Sequence, residues 1–89
     1  MKRTKLEIYV DILNVLAHGG PMKLTQIINK ANVNYSKIKQ YIDFLTKLDT
    51  VEEQTFKKEH RVFAVTQRGI AVLKYFRELT QLPLVVEKA

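Results

Sequence analysis

The chain has 89 residues, no cysteine, 46% hydrophobic residues and a formal net charge of +6. This length suits one compact domain rather than two, and the hydrophobic fraction is that of a folded globular protein. The lack of cysteine excludes disulfides and thiolate metal sites, and it fits a reducing cytoplasm. No apolar run is long enough to span a bilayer, and Glu7 and Asp11 interrupt the segment in which a signal peptide would be apolar.

The positive charge is concentrated in two segments. Residues 23–47 contain five lysines and one acidic residue, and residues 54–61 contain three basic residues and one acidic residue. Together they account for the whole surplus of positive charge. A basic surface of this kind suits nucleic acid first, an acidic membrane surface second and an acidic protein third.

The first half of the chain predicts two helices and a turn. Residues 6–17 are apolar around well over half of a helical circumference, and the sequence His-Gly-Gly-Pro that follows ends this helix. Residues 24–31 have apolar positions at helical spacing and predict a short second helix. Asn32-Val33-Asn34 predicts a tight turn in which Val33 contacts the core and Asn34 caps the next helix.

The third helix is amphipathic. Its apolar positions recur at the helical period and are Ile38, Tyr41, Ile42, Leu45 and Leu48. The opposite face contains Ser36, Lys39, Gln40, Asp43 and Lys47.

A hairpin and a fourth helix follow. Residues 51–56 and 60–65 predict two strands joined by a charged tip, and Thr66 is placed to cap a helix over 67–80. Helix, helix, turn, helix, hairpin, helix is the order of a winged helix-turn-helix, an α+β fold that is mainly α. We expect a domain over 1–80 and a short apolar tail over 81–89.

These segments together resemble a known family. The pieces "ANVNYSKIKQYIDFL" and "VTQRG", in their order and spacing, make residues 6–79 similar to small archaeal winged-helix DNA-binding proteins. That group includes transcription-regulator-like and chromatin-associated members. The resemblance implies that the third helix enters the major groove, that the wing contacts the backbone or minor groove, and that the protein is a homodimer. Chromatin-associated members often extend the last helix into a coiled coil, whereas Pro83 ends it early here.

Candidate DNA contacts lie mainly in the first half of the third helix and in the wing, because groove-reading helices contact DNA through their N-terminal residues. Lys39 and Gln40 are candidates for base edges, because Lys donates to guanine acceptors and Gln pairs with adenine. The remaining candidates would bind the DNA backbone: Tyr35, Ser36, Lys37, Lys47, Lys57, Lys58 and Arg61. The alternative is that these are solvated faces, since charged hairpin tips also keep strand edges soluble.

Asp43 argues against phosphate contact at its own position. It lies four residues from both Lys39 and Lys47, so we interpret it as the middle of a salt-bridge ladder along the helix. His18 and His60 have no second ligand at metal-binding spacing, and we interpret them as ordinary turn or surface residues.

The terminal helices contain more apolar surface than a small monomer buries. We expect a two-fold dimer that covers it, with interface residues Ile8, Val15, Val72, Tyr75, Leu79 and Leu82. The alternative is that the tail folds back over the domain.

No catalytic triad, metal cluster or phosphate-binding glycine loop is recognisable, so we expect neither an enzyme nor a cofactor. No small-molecule ligand is evident, and a ligand-gated regulator of this length would have to bind its ligand at the dimer interface. The prediction is a cytoplasmic, nucleoid-associated homodimer that binds double-stranded DNA with some sequence preference, most simply a transcriptional regulator without a membrane association. A helix over 35–48 would lie in the major groove and a wing over 54–61 on the backbone. The alternatives are a non-specific chromatin-like protein and a winged-helix module that binds other proteins.

Overall fold

The winged helix-turn-helix prediction is confirmed. The computed structural model describes residues 2–56 and 60–81. Its elements in chain order are α1 (Lys5–Gly19), α2 (Leu24–Ala31), α3 (Ile38–Lys47), β1 (Val51–Phe56), β2 (His60–Val65) and α4 (Gln67–Thr80). β1 and β2 form an antiparallel hairpin in which Val51 pairs with Val65 and Phe56 pairs with His60. The bounds of α2, α4 and both strands agree with the prediction.

Local hydrogen bonds determine both ends of α1. The Thr4 hydroxyl accepts from the backbone N–H of Glu7 at 3.1 Å, and the Glu7 carboxylate accepts from the backbone N–H of Thr4 at 2.7 Å. This reciprocal capping box starts the helix one residue before the predicted position. At the other end Gly20 has φ 76°, a conformation that glycine adopts without steric cost, and the helix stops there.

A backbone bridge ties the segment between α1 and α2 to the wing. The N–H of Met22 donates to the carbonyl oxygen of Phe63 at 3.0 Å, and the N–H of Phe63 donates to the carbonyl oxygen of Met22 at 2.9 Å. Both side chains are buried. One isolated bridge leaves no periodic pattern, so the sequence did not indicate this contact.

The turn before α3 is longer than predicted. Asn32 adopts the left-handed conformation (φ 55°) at the end of α2, and Val33 is buried as expected. The Asn34 side chain accepts from the N–H of Ser36 at 2.8 Å, while its carbonyl accepts from the N–H groups of Lys37 and Ile38. The predicted start of α3 at residue 35 is therefore wrong: residues 35–37 form a tight turn, and α3 begins at Ile38.

The core lies where the four helices of the domain meet the hairpin. The predicted buried face of α3 is confirmed for four of its five positions, namely Ile38, Tyr41, Ile42 and Leu45. Leu48 is the exception, because α3 ends at Lys47 and Leu48 is 45% exposed at the C-cap. Residues from α1 and the hairpin complete the core, including Ile12, Leu16 and Val51.

Gly69 allows the first turn of α4 to pack directly on the backbone that connects α3 to β1. A Cβ atom at this position would lie 2.4 Å from the carbonyl oxygen of Thr50. The same corner is held by Thr66, whose hydroxyl donates to the carbonyl of Asp49 at 2.7 Å and accepts from the N–H of Gly69 at 3.0 Å. The predicted capping role of Thr66 is confirmed, and Gly69 provides a close approach.

Candidate nucleic-acid interface

The polar side of α3 faces solvent because its apolar side is held in the core. Lys39, Gln40, Asp43 and Lys47 are exposed, opposite the buried face of the helix. Burial of Ile38, Tyr41, Ile42 and Leu45 prevents rotation of α3 about its axis. The helix therefore presents a fixed row of polar side chains with three amines or amides and one carboxylate.

The three other candidates from this region lie in the turn that leads into α3. Tyr35, Ser36 and Lys37 are exposed, and the exposed fraction of Tyr35 is 76%. The Ser36 hydroxyl donates to the Asn34 side chain at 2.8 Å, which orders the turn. All three side chains thus lie at the N-terminal end of α3, the end through which recognition helices approach DNA.

Arg61 is paired within the wing. Its guanidinium donates twice to the Glu53 carboxylate, from Nε to Oε2 at 2.5 Å and from NH2 to Oε1 at 3.1 Å. The hydrogen bonds from Arg61 hold the pKa of the exposed Glu53 carboxyl below its usual value, with a further contribution from the charge of Lys39. The same pair raises the pKa of Arg61. The sequence did not indicate this pair, because it depends on the register of the hairpin.

An open groove of about 360 Å³ separates α3 from the wing. Lys39 and Asp43 line one side of it, and Glu53 and Arg61 line the other. Apolar side chains that include Ile42 also line it. The groove therefore contains two basic and two acidic groups.

The expected salt-bridge ladder along α3 is wrong. Among residues 2–56 and 60–81, the ion pairs join Arg3 to Asp11 and Arg61 to Glu53, and none involves Asp43. An exposed pair at this spacing gains too little energy to hold two long side chains in one geometry. The positive charge of Lys39 instead helps to lower the pKa of Glu53.

Three predicted site residues, Lys57, Lys58 and Leu82, lie outside the described part of the chain. Of the expected dimer residues, Val72, Tyr75 and Leu79 form an exposed stripe on α4, with exposures of 40%, 66% and 52%. Ile8 and Val15 are half-buried and pack against the core.

An apolar cleft of about 330 Å³ adjoins the α4 stripe at Val72. Its other lining residues come from α1 and from the end of α3, and they include Leu6, Tyr9, Phe44 and Leu48. The rings of Tyr9 and Phe44 stack with centroids 4.7 Å apart. Leu48 was predicted to be buried, and Phe44 was not among the predicted surface residues. The helical spacing places Phe44 on the flank of α3, beside the buried positions, and this was a usable signal.

Two further observations concern groups that could bind other ligands. No group of three or more potential metal-ligating side chains occurs within the described residues. His18 Nδ1 lies 2.8 Å from the carbonyl oxygen of Asn14 in the last turn of α1, where a histidine commonly bonds a free carbonyl. None of the described helices has the length and apolar character needed to cross a bilayer.

With this geometry established, the chain can be assigned to a family. The sequence profile of the winged helix-turn-helix family matches residues 2–83, so the chain belongs to that family. It therefore has a winged helix-turn-helix fold. The uncharacterized protein MJ0287 of Methanocaldococcus jannaschii is 28% identical over 81 residues, which are 91% of this chain and 77% of that protein.

Solved structures agree with this assignment. Sso10a-2, a DNA-binding protein from Sulfolobus solfataricus, superposes with a TM-score of 0.76 at 24% identity, over 89% of this chain and 80% of that one. A MarR-family transcriptional regulator from Silicibacter pomeroyi superposes with a TM-score of 0.74 at 17% identity, over 81% of this chain and 49% of that one. At these identities the likeness is one of fold, and the predicted resemblance to archaeal winged-helix proteins is confirmed.

Proposed function

We propose that this protein is a homodimeric regulator of transcription that binds double-stranded DNA through α3 and the wing. The observation that carries the proposal is the fixed polar side of α3, which lies opposite four buried apolar side chains and follows an exposed, ordered turn. Lys39 and Gln40 would contact base edges, since both present donors that major-groove acceptors can bind. Tyr35, Ser36, Lys37 and Lys47 would bind phosphates on either side.

The wing would bind the backbone through Lys57, Lys58 and Arg61. In the free protein Arg61 is bound to Glu53, so contact with a phosphate requires exchange of one oxyanion for another. Such an exchange retains the charge-assisted hydrogen bonds of the guanidinium but releases Glu53. We therefore expect Arg61 to contribute less affinity than an unpaired wing cation would.

The homodimer is supported by the α4 stripe of Val72, Tyr75 and Leu79 and by the adjoining apolar cleft. Exposed apolar surface that is continuous across α1, α3 and α4 is typical of a protein interface. A two-fold axis near this surface would direct two copies of α3 toward half-sites one helical turn apart. Such a dimer would occupy a palindromic site.

The test is fluorescence anisotropy with random-sequence duplex DNA at low and at physiological salt. Wild type is compared with a variant in which Lys37, Lys39, Lys57 and Lys58 are replaced by alanine. Because Lys37, Lys57 and Lys58 are the lysines placed on phosphates, and each neutralised phosphate contributes about 0.9 to the slope of log affinity against log salt, we expect the variant to lose a slope of up to about 2.7. The matched control is Lys74→Ala/Arg77→Ala, which removes two exposed cations of α4.

Two results would contradict the proposal. One is a wild-type protein that does not bind duplex DNA even at low salt. The other is a folded quadruple variant, verified by circular dichroism, whose affinity and slope equal those of wild type and of the α4 control. Either result would favour the alternative of a protein-binding module.

Selection of genomic fragments then separates a regulator from a chromatin-like protein. A regulator enriches a recurrent, palindromic motif, because its base contacts discriminate between sites by about 1–3 kcal/mol per base pair. A protein that coats DNA enriches no motif, because phosphate contacts carry no direct sequence information. The second result would replace the regulator assignment while leaving the DNA interface intact.

A further inference from the structure

Residues 2–4, called the N-terminal arm below, are held against the helix-turn-helix by Arg3. The Arg3 guanidinium donates to the Asp11 carboxylate at 2.7 Å, to the carbonyl oxygen of Ala31 at 2.9 Å and to the carbonyl oxygen of Asn32. These partners belong to α1, to the last residue of α2 and to the turn before α3. One side chain therefore connects the arm to both of the first two helices.

The carbonyls that Arg3 binds are ones that the end of α2 leaves without helical partners. Asn32 has left-handed backbone geometry there, and its own N–H donates to the carbonyl of Ile28. The fork of a guanidinium can satisfy two carbonyls and a carboxylate at once, whereas the single amine of a lysine cannot match this arrangement. Arg3 is consequently suited to fixing the position of the arm relative to the turn.

Lys2 is placed next to the start of α3 by this attachment. It lines an open depression of about 410 Å³ together with Asn32, Val33, Asn34 and Tyr41. Asn34 is the residue whose side chain caps the turn that contains Ser36 and Lys37. Lys2 is exposed, and within the described residues it forms no ion pair, while the charge of Arg3 is balanced by Asp11.

We infer that the N-terminal arm is an additional DNA-binding element, in which Lys2 binds a backbone phosphate beside the groove contact of α3 and Arg3 positions it. This inference rests on the proposed DNA-binding function. The supporting argument is one of charge and place: an unpaired ammonium lies beside the end of α3 that would enter the groove, and phosphates flank any helix in that position. Neither Lys2 nor Arg3 belongs to the contacts predicted from the sequence.

The test is the salt dependence of binding to duplex DNA, measured for wild type, Lys2→Ala, Lys2→Glu and the control Lys74→Ala. Lys74 is an exposed lysine of α4 and belongs neither to the arm nor to the proposed interface on α3. We expect Lys2→Ala to lower the log–log slope by about 0.9, which corresponds to one phosphate contact. Lys2→Glu should lower affinity further, and Lys74→Ala should match wild type.

The role of Arg3 is tested with Arg3→Ala and Arg3→Lys, both alone and combined with Lys2→Ala. If Arg3 positions the arm, Arg3→Ala loses the slope contribution of Lys2, and adding Lys2→Ala then changes the slope no further. Arg3→Lys retains the positive charge but not the several N–H donors of the guanidinium, so its salt slope should resemble that of Arg3→Ala rather than that of wild type. A charge effect alone would instead leave Arg3→Lys equal to wild type and make the two alanine substitutions additive.

Failure of this inference can be told apart from failure of the proposed function. If wild type does not bind DNA, the proposed function is wrong. If wild type binds with a steep salt slope but Lys2→Ala and Lys2→Glu both match Lys74→Ala, the arm does not contact DNA, although α3 can still do so. The Lys2 variants decide the question even if the Arg3 variants unfold, because Lys2 makes no contact on which the fold depends.

Discussion

The helices α3 and α4 expose opposite kinds of surface, although each is packed on the same core. α3 buries four apolar side chains, namely Ile38, Tyr41, Ile42 and Leu45, and polar and charged groups line the opposite, outer side. α4 buries Gly69 and Leu73 and leaves the apolar stripe of Val72, Tyr75 and Leu79 exposed. A row of polar donors suits a hydrated polyanion, whereas an exposed apolar stripe gains free energy only when another apolar surface covers it.

This difference assigns DNA binding and dimerisation to different surfaces of one small domain. The outer side of α3 would bind DNA, and the stripe of α4 would bind a second copy of the chain. The two surfaces do not share residues, so changes in one should leave the other intact.

Reversing charge on α3 should have the largest effect on DNA binding. Lys37→Glu/Lys39→Glu replaces two attractive charges with two repulsive ones beside the phosphates, so we expect duplex affinity to fall roughly a hundred-fold or more near physiological salt. Lys74→Glu/Arg77→Glu makes the same change in charge on α4. Electrophoretic mobility shift should separate the two variants clearly, and equal losses would indicate a diffuse effect of net charge in place of a local interface.

Adding a methyl group at Gly69 should displace α4 from the corner between α3 and β1. The new Cβ would lie 2.4 Å from a backbone oxygen that cannot move independently. We expect Gly69→Ala to lower the free energy of unfolding by about 1–3 kcal/mol, despite the better helix propensity of alanine. Chemical denaturation measures this difference.

Gly19→Ala is the matched control for Gly69→Ala. Its Cβ would meet only the end of the flexible Met22 side chain, at 2.7 Å. Stability within about 1 kcal/mol of wild type is expected, because alanine favours the helix while Met22 adjusts. A loss as large as that of Gly69→Ala would show that the close approach at Thr50 is not the cause.

Polar substitutions on the α4 stripe should dissociate the dimer. Tyr75→Ser/Leu79→Ser removes two large exposed apolar side chains, and we expect sedimentation velocity to detect a monomer at concentrations where wild type is dimeric. Affinity for a palindromic site should fall about ten-fold or more through lost bivalency, with little change for a single half-site. An unchanged sedimentation coefficient would exclude the stripe from the interface.

The smallest effect is expected at the Glu53–Arg61 pair. Glu53→Gln removes the carboxylate that competes with phosphate for Arg61, so duplex affinity should rise a few-fold and the salt slope should steepen by up to about 0.9. Because the pKa of Glu53 is lowered in the folded protein, its small contribution to stability is present above the ordinary value and is lost as pH falls through the lowered one. The unfolding temperatures of wild type and Glu53→Gln should therefore converge at acid pH. A duplex affinity that falls in the variant would contradict the competition between Glu53 and phosphate for Arg61.

The features that could be predicted from the sequence are those determined by neighbouring residues. The buried face of α3, the cap at Thr66 and the turn around Asn34 all depend on contacts within a few positions. The boundary of α3 was misplaced because a capped turn and a first helical turn have the same residue preferences. These local signals gave the order of the elements, and that order was sufficient to identify the fold.

The features that could not be predicted depend on distant residues or on register. Arg3 binds a carbonyl 28 positions away, and Met22 pairs with Phe63 across most of the domain. Arg61 reaches Glu53 only because the hairpin pairs Glu53 with Phe63, two positions from Arg61. The exposure of Phe44 and Leu48 likewise follows from how α1 and α4 leave a cleft between them.

The central claim is that α3 binds DNA and the α4 stripe does not. The most direct test is a backbone amide chemical-shift titration of the protein with a short duplex. We expect the largest perturbations over residues 34–47 and in the N-terminal arm, and little change at the backbone amides of α4 near Tyr75 and Leu79. Perturbations concentrated on α4, with α3 unchanged at saturating DNA, would contradict this claim.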